Sequence, residues 1–249
     1  MTIRLSSYKA ILCDLDGCLI AGEVVLPGAR ELLAGYGDRL IAVSNNSTDT
    51  PTTLALRLAN LGLTIPADRM VLAGATAMDI LAKDFPGARV AAFASPALRA
   101  HAEASGLVLA DEDVDFVFLA RDICFSYERL TRIVNLVRTG AALLVANVDA
   151  THPGAHGGIV PETGALLAAV ATCLPKLEYR SIGKPDEALF QIALKIAGAK
   201  AGEAIFIGDN LDTDGKGARR MNIPFAHIGG TAFATVRELV ITRPLEGAQ

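Results

Sequence analysis

The chain is poor in cysteine, in charge of either sign and in long apolar runs, and each shortage removes a class of protein. Its 249 residues hold four cysteines, Cys13, Cys18, Cys124 and Cys173. None stands at Cys-x-x-Cys spacing, so they supply neither a zinc site nor a disulfide scaffold. They read as reduced thiols, mostly buried, with Cys18 placed two positions after Asp16 where it can meet a ligand. Charged residues make up only 20% of the chain, and 27 acids against 23 bases leave a net charge of -4. That balance gives no reason to expect a nucleic-acid partner. The apolar run behind Arg4 and Lys9 extends only from Ala10 to Cys13 before Asp14 breaks it, too short for a secretory signal. No other run approaches the ~18 residues that span a bilayer. No membrane association and a cytoplasmic address are therefore expected.

What is present is alternation. A hydrophobic content of 51% is enough to bury a substantial core, and short apolar runs alternate with helical patterns along most of the chain. This predicts an α/β protein with a largely parallel sheet. Ala10 to Cys13, Leu40 to Val43, Val114 to Ala120, Ala141 to Ala146 and Ala204 to Ile207 read as buried strands. Thr50 and Pro51 read as an N-cap and first helical residue, with Leu54, Leu58 and Leu61 as the buried stripe and an end near Gly62. Ser126 to Val137 reads as a helix. Pro185 is expected to open another, burying Leu189, Ile192, Ala193 and Ile196. Ala218 to Met221 belongs to a helix after the last strand.

In open parallel sheets ligands gather outside the carboxyl ends of strands. Three buried runs end in polar clusters: Asp14-Leu15-Asp16-Gly17, Ser44-Asn45-Asn46-Ser47 and Gly208-Asp209-Asn210-Leu211-Asp212-Thr213-Asp214. Strand alternation sends Asp14 and Asp16 to one side and Leu15 to the core. Two acids so placed at the end of a hydrophobic strand repel unless charge compensates them. Asp14, Asp16 and Asp209 form an oxygen-rich set suited to a hard cation, magnesium with several waters retained. Taken alone, Asp-x-Asp-Gly also caps ordinary turns. A calcium hand is disfavoured, since Cys18 stands where it would need a third oxygen.

The ordered set Asp14-Leu15-Asp16-Gly17, Ser44, Lys184, and Gly208-Asp209 with Asp214 resembles the four motifs of the haloacid dehalogenase superfamily. Ser44-Asn45-Asn46-Ser47, Gly183-Lys184-Pro185 and the run from Gly208 to Asp214 resemble its NagD-like branch, which includes nitrophenyl and pyridoxal phosphatases (subfamily IIA). The resemblance covers nearly the whole chain. It implies a Rossmann-like core from residues 1–74 and 182–249, with an inserted α/β cap at 75–181 that closes over the site. The other expectation, from pattern alone, is one continuous large sheet.

The resemblance implies a magnesium-dependent phosphatase acting on a small phosphorylated metabolite. Asp14 would be the nucleophile and Asp16 the general acid and base, with the backbone carbonyl of Asp16 on the metal. Ser44 and Lys184 would hold the phosphoryl group, Asn45 and Asn46 would help bind substrate, and Asp209 would complete the metal set. Asn210 and Asp214 are expected behind the metal, orienting its waters and Lys184; Asp212 is left to the surface or to helix capping. The loop Asn147-Val148-Asp149-Ala150-Thr151-His152-Pro153 resembles the family's Asn-Pro-Asp loop with Val148 replacing proline. Asn147, Asp149 and His152 are its candidates for substrate contact, and His156 is a weaker one. Pro161-Glu162-Thr163-Gly164 stands where relatives tend to have Pro-Gly-Ala-Gly. Relatives often dimerise through their caps, so a homodimer is an open expectation. A phosphotransferase or mutase, and a non-catalytic protein that binds a phosphorylated ligand, are the other functions that these residues allow.

Overall fold

The computed structural model describes residues 3–153 and 158–241. The chain begins with β1 (Ala10–Cys13), fully buried as its four apolar residues require. A tight hairpin, β2 (Ile20–Ala21) and β3 (Val24–Val25), leads to α1 (Ala29–Tyr36) and β4 (Leu40–Ser44). The Thr50-Pro51 pair opens α2 (Pro51–Asn60), with Thr50 Oγ1 accepting the Thr53 N–H at 3.2 Å. Leu54 and Leu58 are buried, while Leu61 lies beyond the helix end and is half-buried. β5 (Met70–Leu72) then runs straight into α3 (Ala73–Asp84).

Next come β6 (Arg89–Phe93), α4 (Pro96–Ala104), β7 (Val108–Leu109), β8 (Phe116–Leu119), α5 (Tyr127–Arg138) and β9 (Ala142–Val145). Ser95 and Ser126 cap α4 and α5 through side-chain oxygens that accept the N–H groups of Leu98 and Arg129. A hairpin of β10 (Thr151–Pro153) and β11 (Ile159–Pro161) precedes α6 (Thr163–Cys173) and β12 (Tyr179–Ser181).

The helix expected from Pro185 begins two residues later, as α7 (Glu187–Ala197). Asp186 takes the N-cap, its Oδ1 accepting the Ala188 N–H at 3.1 Å. Leu189, Phe190 and Ala193 are buried and Ile192 is half-buried, but Ile196 is exposed, so the apolar stripe stops one turn short of the expectation. The remaining elements are β13 (Ala204–Gly208), a π-helical turn at Leu211–Gly215, α8 (Lys216–Arg220), β14 (Phe225–His227) and α9 (Val236–Ile241).

These elements build two sheets rather than one. The first has the order β14-β13-β1-β4-β5, and β1 pairs parallel with both β13 and β4. The second has the order β12-β9-β8-β6-β7, with every neighbouring pair parallel. The chain accordingly divides into two compact units, the first comprising Met1–Ser44, Leu54–Val71 and Lys184–Gln249, the second Asn45–Thr53 and Leu72–Gly183. The division falls near residues 72 and 184, and the segment after β4 groups with the second unit.

In the second unit Phe93, Val117, Leu119, Leu143 and Val145 of the sheet pack on Ile133 of α5 and on Leu167 and Val170 of α6. Each such side chain fully buried contributes roughly 1.5–3 kcal/mol. All four cysteines are free, but only Cys13 and Cys18 are buried; Cys124 and Cys173 are exposed, against the expectation of mostly buried thiols. No helix among the described residues is long and apolar enough to cross a membrane.

Between α3 and α4, His101 Nε2 lies 2.7 Å from Asp79 Oδ1. The Asp79 carboxylate raises the imidazole above its ordinary value, outweighing its partial burial. A raised histidine stabilises the fold fully below its unfolded value of about 6.5, and loses that contribution as pH rises through the folded value. Urea unfolding should therefore show stability falling from about pH 6.5 upward, and Asp79→Asn should flatten that part of the profile. An unchanged slope in the variant would assign the dependence to another group.

Candidate active site

The first unit gathers its polar strand ends at one edge because its central strands are parallel. β13, β1 and β4 are neighbours, so Asp209, Asp14 and Ser44 emerge from the same end of the sheet. Asp14 follows β1 and is 8% exposed; its N–H donates to Ile207 O at 2.9 Å, and its Oδ1 accepts the Leu15 N–H at 2.8 Å. The chain then turns back sharply, Gly17 N–H donating to Ile20 O at 2.8 Å. Asp16, inside that turn, is exposed. Ser44 is buried at the end of β4.

Lys184 arrives from the return crossing and is 1% exposed. Its ammonium lies 2.8 Å from Asp14 Oδ1 and 2.7 Å from Asp214 Oδ1, and it donates to Val43 O at 3.0 Å. The Phe206 ring, with its centroid 5.5 Å away, closes another side. Burial opposes the lysine charge, but the two aspartates outweigh it and hold the ammonium protonated well above the usual lysine range.

Asp14, Asp209 and Asp214 each bring a carboxylate oxygen within 4.8 Å of the others. Asp214, expected behind the metal and orienting Lys184, lies against Lys184 and also brings an oxygen into this acidic cluster. The Asp16 carboxylate, by contrast, is not a member of it. Asn210 shapes the loop between Asp209 and Asp214. Its side chain accepts the Asp212 N–H at 2.9 Å, and its own N–H donates to Asp214 Oδ2 at 3.3 Å. Asp212 is exposed.

Two glycines make the close packing possible. Gly17 has φ +82°, and a Cβ there would stand 2.0 Å from Asp209 Oδ2; at Gly208 a Cβ would meet Asp214 Oδ2 at 2.3 Å. So although Asp209 is exposed as a residue, its carboxylate is held against protein. Desolvation first, and the Asp214 charge second, push it up to about 6. Burial likewise raises Asp14 well above the carboxylate range against the pull of Lys184.

Three carboxylates around one ammonium leave negative charge uncompensated, and an all-oxygen set of this kind fits a hard divalent cation. Cys18, weighed as a ligand contact, is buried in the core with its thiol against Cys13, and that contact together with burial pushes it up.

In the second unit the expected contact residues form a network of their own. Asn45 Nδ2 donates to Asp149 Oδ2 at 2.9 Å, Asn147 Nδ2 donates to Asn45 O at 2.8 Å, and the Asp149 N–H donates to Asn147 Oδ1 at 3.0 Å. Gly164 lets this loop rest on the start of α6, since a Cβ there would meet Val148 O at 2.3 Å. Asn46 uses its amide locally, its Oδ1 accepting the N–H groups of Thr48 and Asp49 in the turn before α2. His152 is half-buried, with Nδ1 2.7 Å from Glu162 Oε1. His156 lies outside the described residues. The placing of Glu162 against His152 and against Arg121 was not anticipated. The departure at Pro161-Glu162-Thr163-Gly164 was the available signal for Glu162, and nothing local marked Arg121.

A haloacid dehalogenase-like hydrolase family model matches residues 11–108, and a second HAD-hydrolase-like model matches residues 181–233. Dihydroxyacetone phosphatase of Corynebacterium glutamicum (strain R) is 32% identical over 219 residues, 87% of this chain and 78% of that protein. Acid sugar phosphatase of Staphylococcus saprophyticus is 30% identical over 239 residues, 94% of this chain and 91% of that one. Glycerol phosphate phosphatase of Mycobacterium tuberculosis, solved in complex with calcium and with magnesium, superposes with TM-scores of 0.81 and 0.83 at 30% identity. Those alignments cover 90% and 91% of this chain, but only 66% and 70% of the mycobacterial one. The chain belongs to the haloacid dehalogenase-like hydrolases, in their NagD-like, nitrophenyl phosphatase branch. By class it is a phosphoric monoester hydrolase.

The packing of Asp209 on Gly17 can be tested against a control. Gly22 also has a positive φ, +60°, but nothing lies within 4 Å of a Cβ built there. Gly22→Ala should cost about 1 kcal/mol of backbone strain, whereas Gly17→Ala should cost about 2–3 kcal/mol and also displace Asp209. Equal losses in urea unfolding would show that Asp209 does not depend on Gly17.

Proposed function

We propose that this protein is a magnesium-dependent phosphatase that hydrolyses a small organic phosphate monoester through an aspartyl phosphate on Asp14. The observation that carries the reading is the Lys184 ammonium held between Asp14 and Asp214, beside a cluster of three carboxylates. A phosphate dianion repels an anionic nucleophile, so attack by a carboxylate requires positive charge on the phosphoryl oxygens. Lys184 brings one such charge. Magnesium held by Asp14, Asp209 and the Asp16 backbone carbonyl would supply the rest as a Lewis acid.

The protein side chains then have separate tasks. Lys184 and the Leu15 N–H grip Asp14 Oδ1, which orients the carboxylate and reserves Oδ2 for attack on phosphorus. As the phosphorus–oxygen bond to the leaving group breaks, Asp16 gives that oxygen a proton. Its exposure suits a group that exchanges protons with solvent. In the second half Asp16 takes a proton from water, whose oxygen attacks phosphorus and releases inorganic phosphate with the Asp14 carboxylate restored. Ser44 donates to the phosphoryl group from the end of β4, with Asn45 in support. Asn210 and Asp214 hold the loop and Lys184 in place. We assign residues 75–181 to a cap, where Asn147, Asp149 and His152 contact the organic part of the substrate. The curated relatives are phosphatases named for small phosphorylated substrates, which supports a substrate of that size.

Asp14→Asn should reduce phosphate release from p-nitrophenyl phosphate by at least about 10³-fold, with the circular dichroism spectrum unchanged. Near-normal turnover in that variant would remove the nucleophile. Asp16→Asn should slow alkyl phosphates about 10²-fold more than nitrophenyl phosphate, because only a poor leaving group needs the proton; equal losses would deny it the acid role. Exhaustive chelation should abolish turnover, and added magnesium should restore it.

A further inference from the structure

The carboxyl end of the first sheet carries an imidazole that the proposed chemistry does not use. His227, half-buried, closes β14 and stands opposite Gly208, where the register of β13 and β14 ends. The Ile228 N–H still donates to Gly208 O at 2.8 Å. One residue on, where the chain leaves the sheet, the Asp209 carbonyl oxygen lies 3.0 Å from His227 Nε2. A carbonyl oxygen only accepts, so Nε2 carries the proton of this hydrogen bond whatever the state of Nδ1.

The ring is held on two other sides. It stacks on Phe225, two residues back on the same side of β14, with centroids 6.1 Å apart and planes 23° from parallel. Its Nδ1 edge rests on Gly230, where a Cβ would stand 2.5 Å from Nδ1. Gly230 lacks the positive φ that would itself call for glycine, so what its missing side chain provides is room for the imidazole.

Asp209 links a fixed strand to a fixed loop. Before it, Gly208 belongs to the sheet; beyond it, Asn210 O accepts the N–H groups of Asp214 and Gly215 at 2.9 and 3.1 Å, which closes the π-helical turn. A hydrogen bond on the Asp209 carbonyl restricts rotation of the peptide between the two. It thereby limits how far the carboxylate can swing from its place against Gly17, where a Cβ would stand 2.0 Å from Asp209 Oδ2.

We propose that His227 is a positioning residue for Asp209, and that the hydrogen bond from its Nε2 to the Asp209 carbonyl sets the magnesium affinity of the site. The inference rests on the phosphatase reading, in which Asp209 holds magnesium, and deepens it. His227 acts through the Asp209 backbone: a hydrogen bond behind a ligand raises affinity by narrowing the geometries that the free ligand samples.

The test measures the magnesium Kd of the full chain by isothermal titration calorimetry, with the rise of Tm on adding magnesium as a second readout. The variants are His227→Phe, which keeps a ring on Phe225 and removes the donor, His227→Gln, whose amide can donate to the same carbonyl, and Asp209→Asn. His227→Phe should raise Kd about five- to tenfold, the effect of one hydrogen bond lost behind a ligand. His227→Gln should stay within about threefold of wild type. A merely structural histidine would lower the metal-free Tm in both variants and leave Kd alone.

Gly230→Ala acts through the same ring. Its methyl should displace the imidazole and raise Kd about threefold or more, whereas in a His227→Ala background it should add less than about twofold. His227→Ala also serves if His227→Phe fails to fold. A wild-type Kd in the variant without a donor, an equal rise in the Phe and Gln variants, or additive effects of Gly230→Ala and His227→Ala would overturn the inference while the phosphatase reading stands. A magnesium Kd unchanged by Asp209→Asn would instead strike the placing of Asp209 on the metal, and the inference with it.

Discussion

The arrangement of the first unit depends on one buried cation. Lys184 is nearly inaccessible, and its ammonium is tied to Asp14, Asp214 and the Val43 carbonyl. An ammonium without partners at that depth would give up its proton, and two carboxylates without it would take protons up. Each charge is present because the others are. Removing one member of such a set costs about 3–5 kcal/mol, most of it the penalty of leaving the others unpaired. The nucleophile proposed here is therefore part of the structural core, and its orientation is fixed by its contacts with Lys184 and the Leu15 N–H.

That ion set exists because distant stretches of chain reach one edge of a parallel sheet. Register places Cys13 beside Ile207 on one flank and Ala42 on the other, so whatever follows those strands is delivered side by side. Parallel order alone would not bring the carboxylates so near, because Cβ atoms at positions 17 and 208 would occupy the space that Asp209 and Asp214 fill. Glycine is required there by contact distance, and at Gly17 by backbone conformation also. The result is a surplus of negative charge at the sheet edge, which the raised carboxyl of Asp209 registers.

Most of this was legible wherever the signal was local. The buried strands at Ala10, Leu40 and Ala204, the polar residues that end them, and the cap at Thr50 follow from period, burial and capping chemistry. The failures have physical reasons. Proline marks a helix start less strongly than a side chain that can accept an N–H, so Asp186 rather than Pro185 sets the first turn of α7. Ile196 was assigned to the core by its period, but helix periodicity says nothing of where the neighbouring layer ends. The contact of Asp214 with Lys184 was expected, but its nearness to Asp14 and Asp209 was not, because its distance from Asp209 in sequence does not reveal the π-helical turn that carries it back. The contact of Glu162 with His152 and Arg121 joins three separate segments, and no periodic pattern encodes such a meeting.

The acidic cluster of the first unit differs from the ion pairs elsewhere in how its charge is met. In the second unit, several acids each lie beside a basic side chain: Glu162 beside Arg121, Asp122 beside Arg129, Asp111 beside Arg132, and Asp79 beside His101. In the first, Glu23 pairs with Arg57 and Glu31 with Arg237, but Asp14, Asp209 and Asp214 gather around one lysine. An acid with a basic side chain of its own has its charge met locally and gains little from a metal ion. An acidic cluster with too few cations does the reverse: it cannot bind phosphate by itself, yet it concentrates a divalent cation where phosphoryl charge must be met. Val148 and Glu162, which depart from the family pattern, lie in the second unit and outside the contacts of Lys184 with Asp14, Asp214 and Val43, so changes there leave the balance around that ammonium as it is.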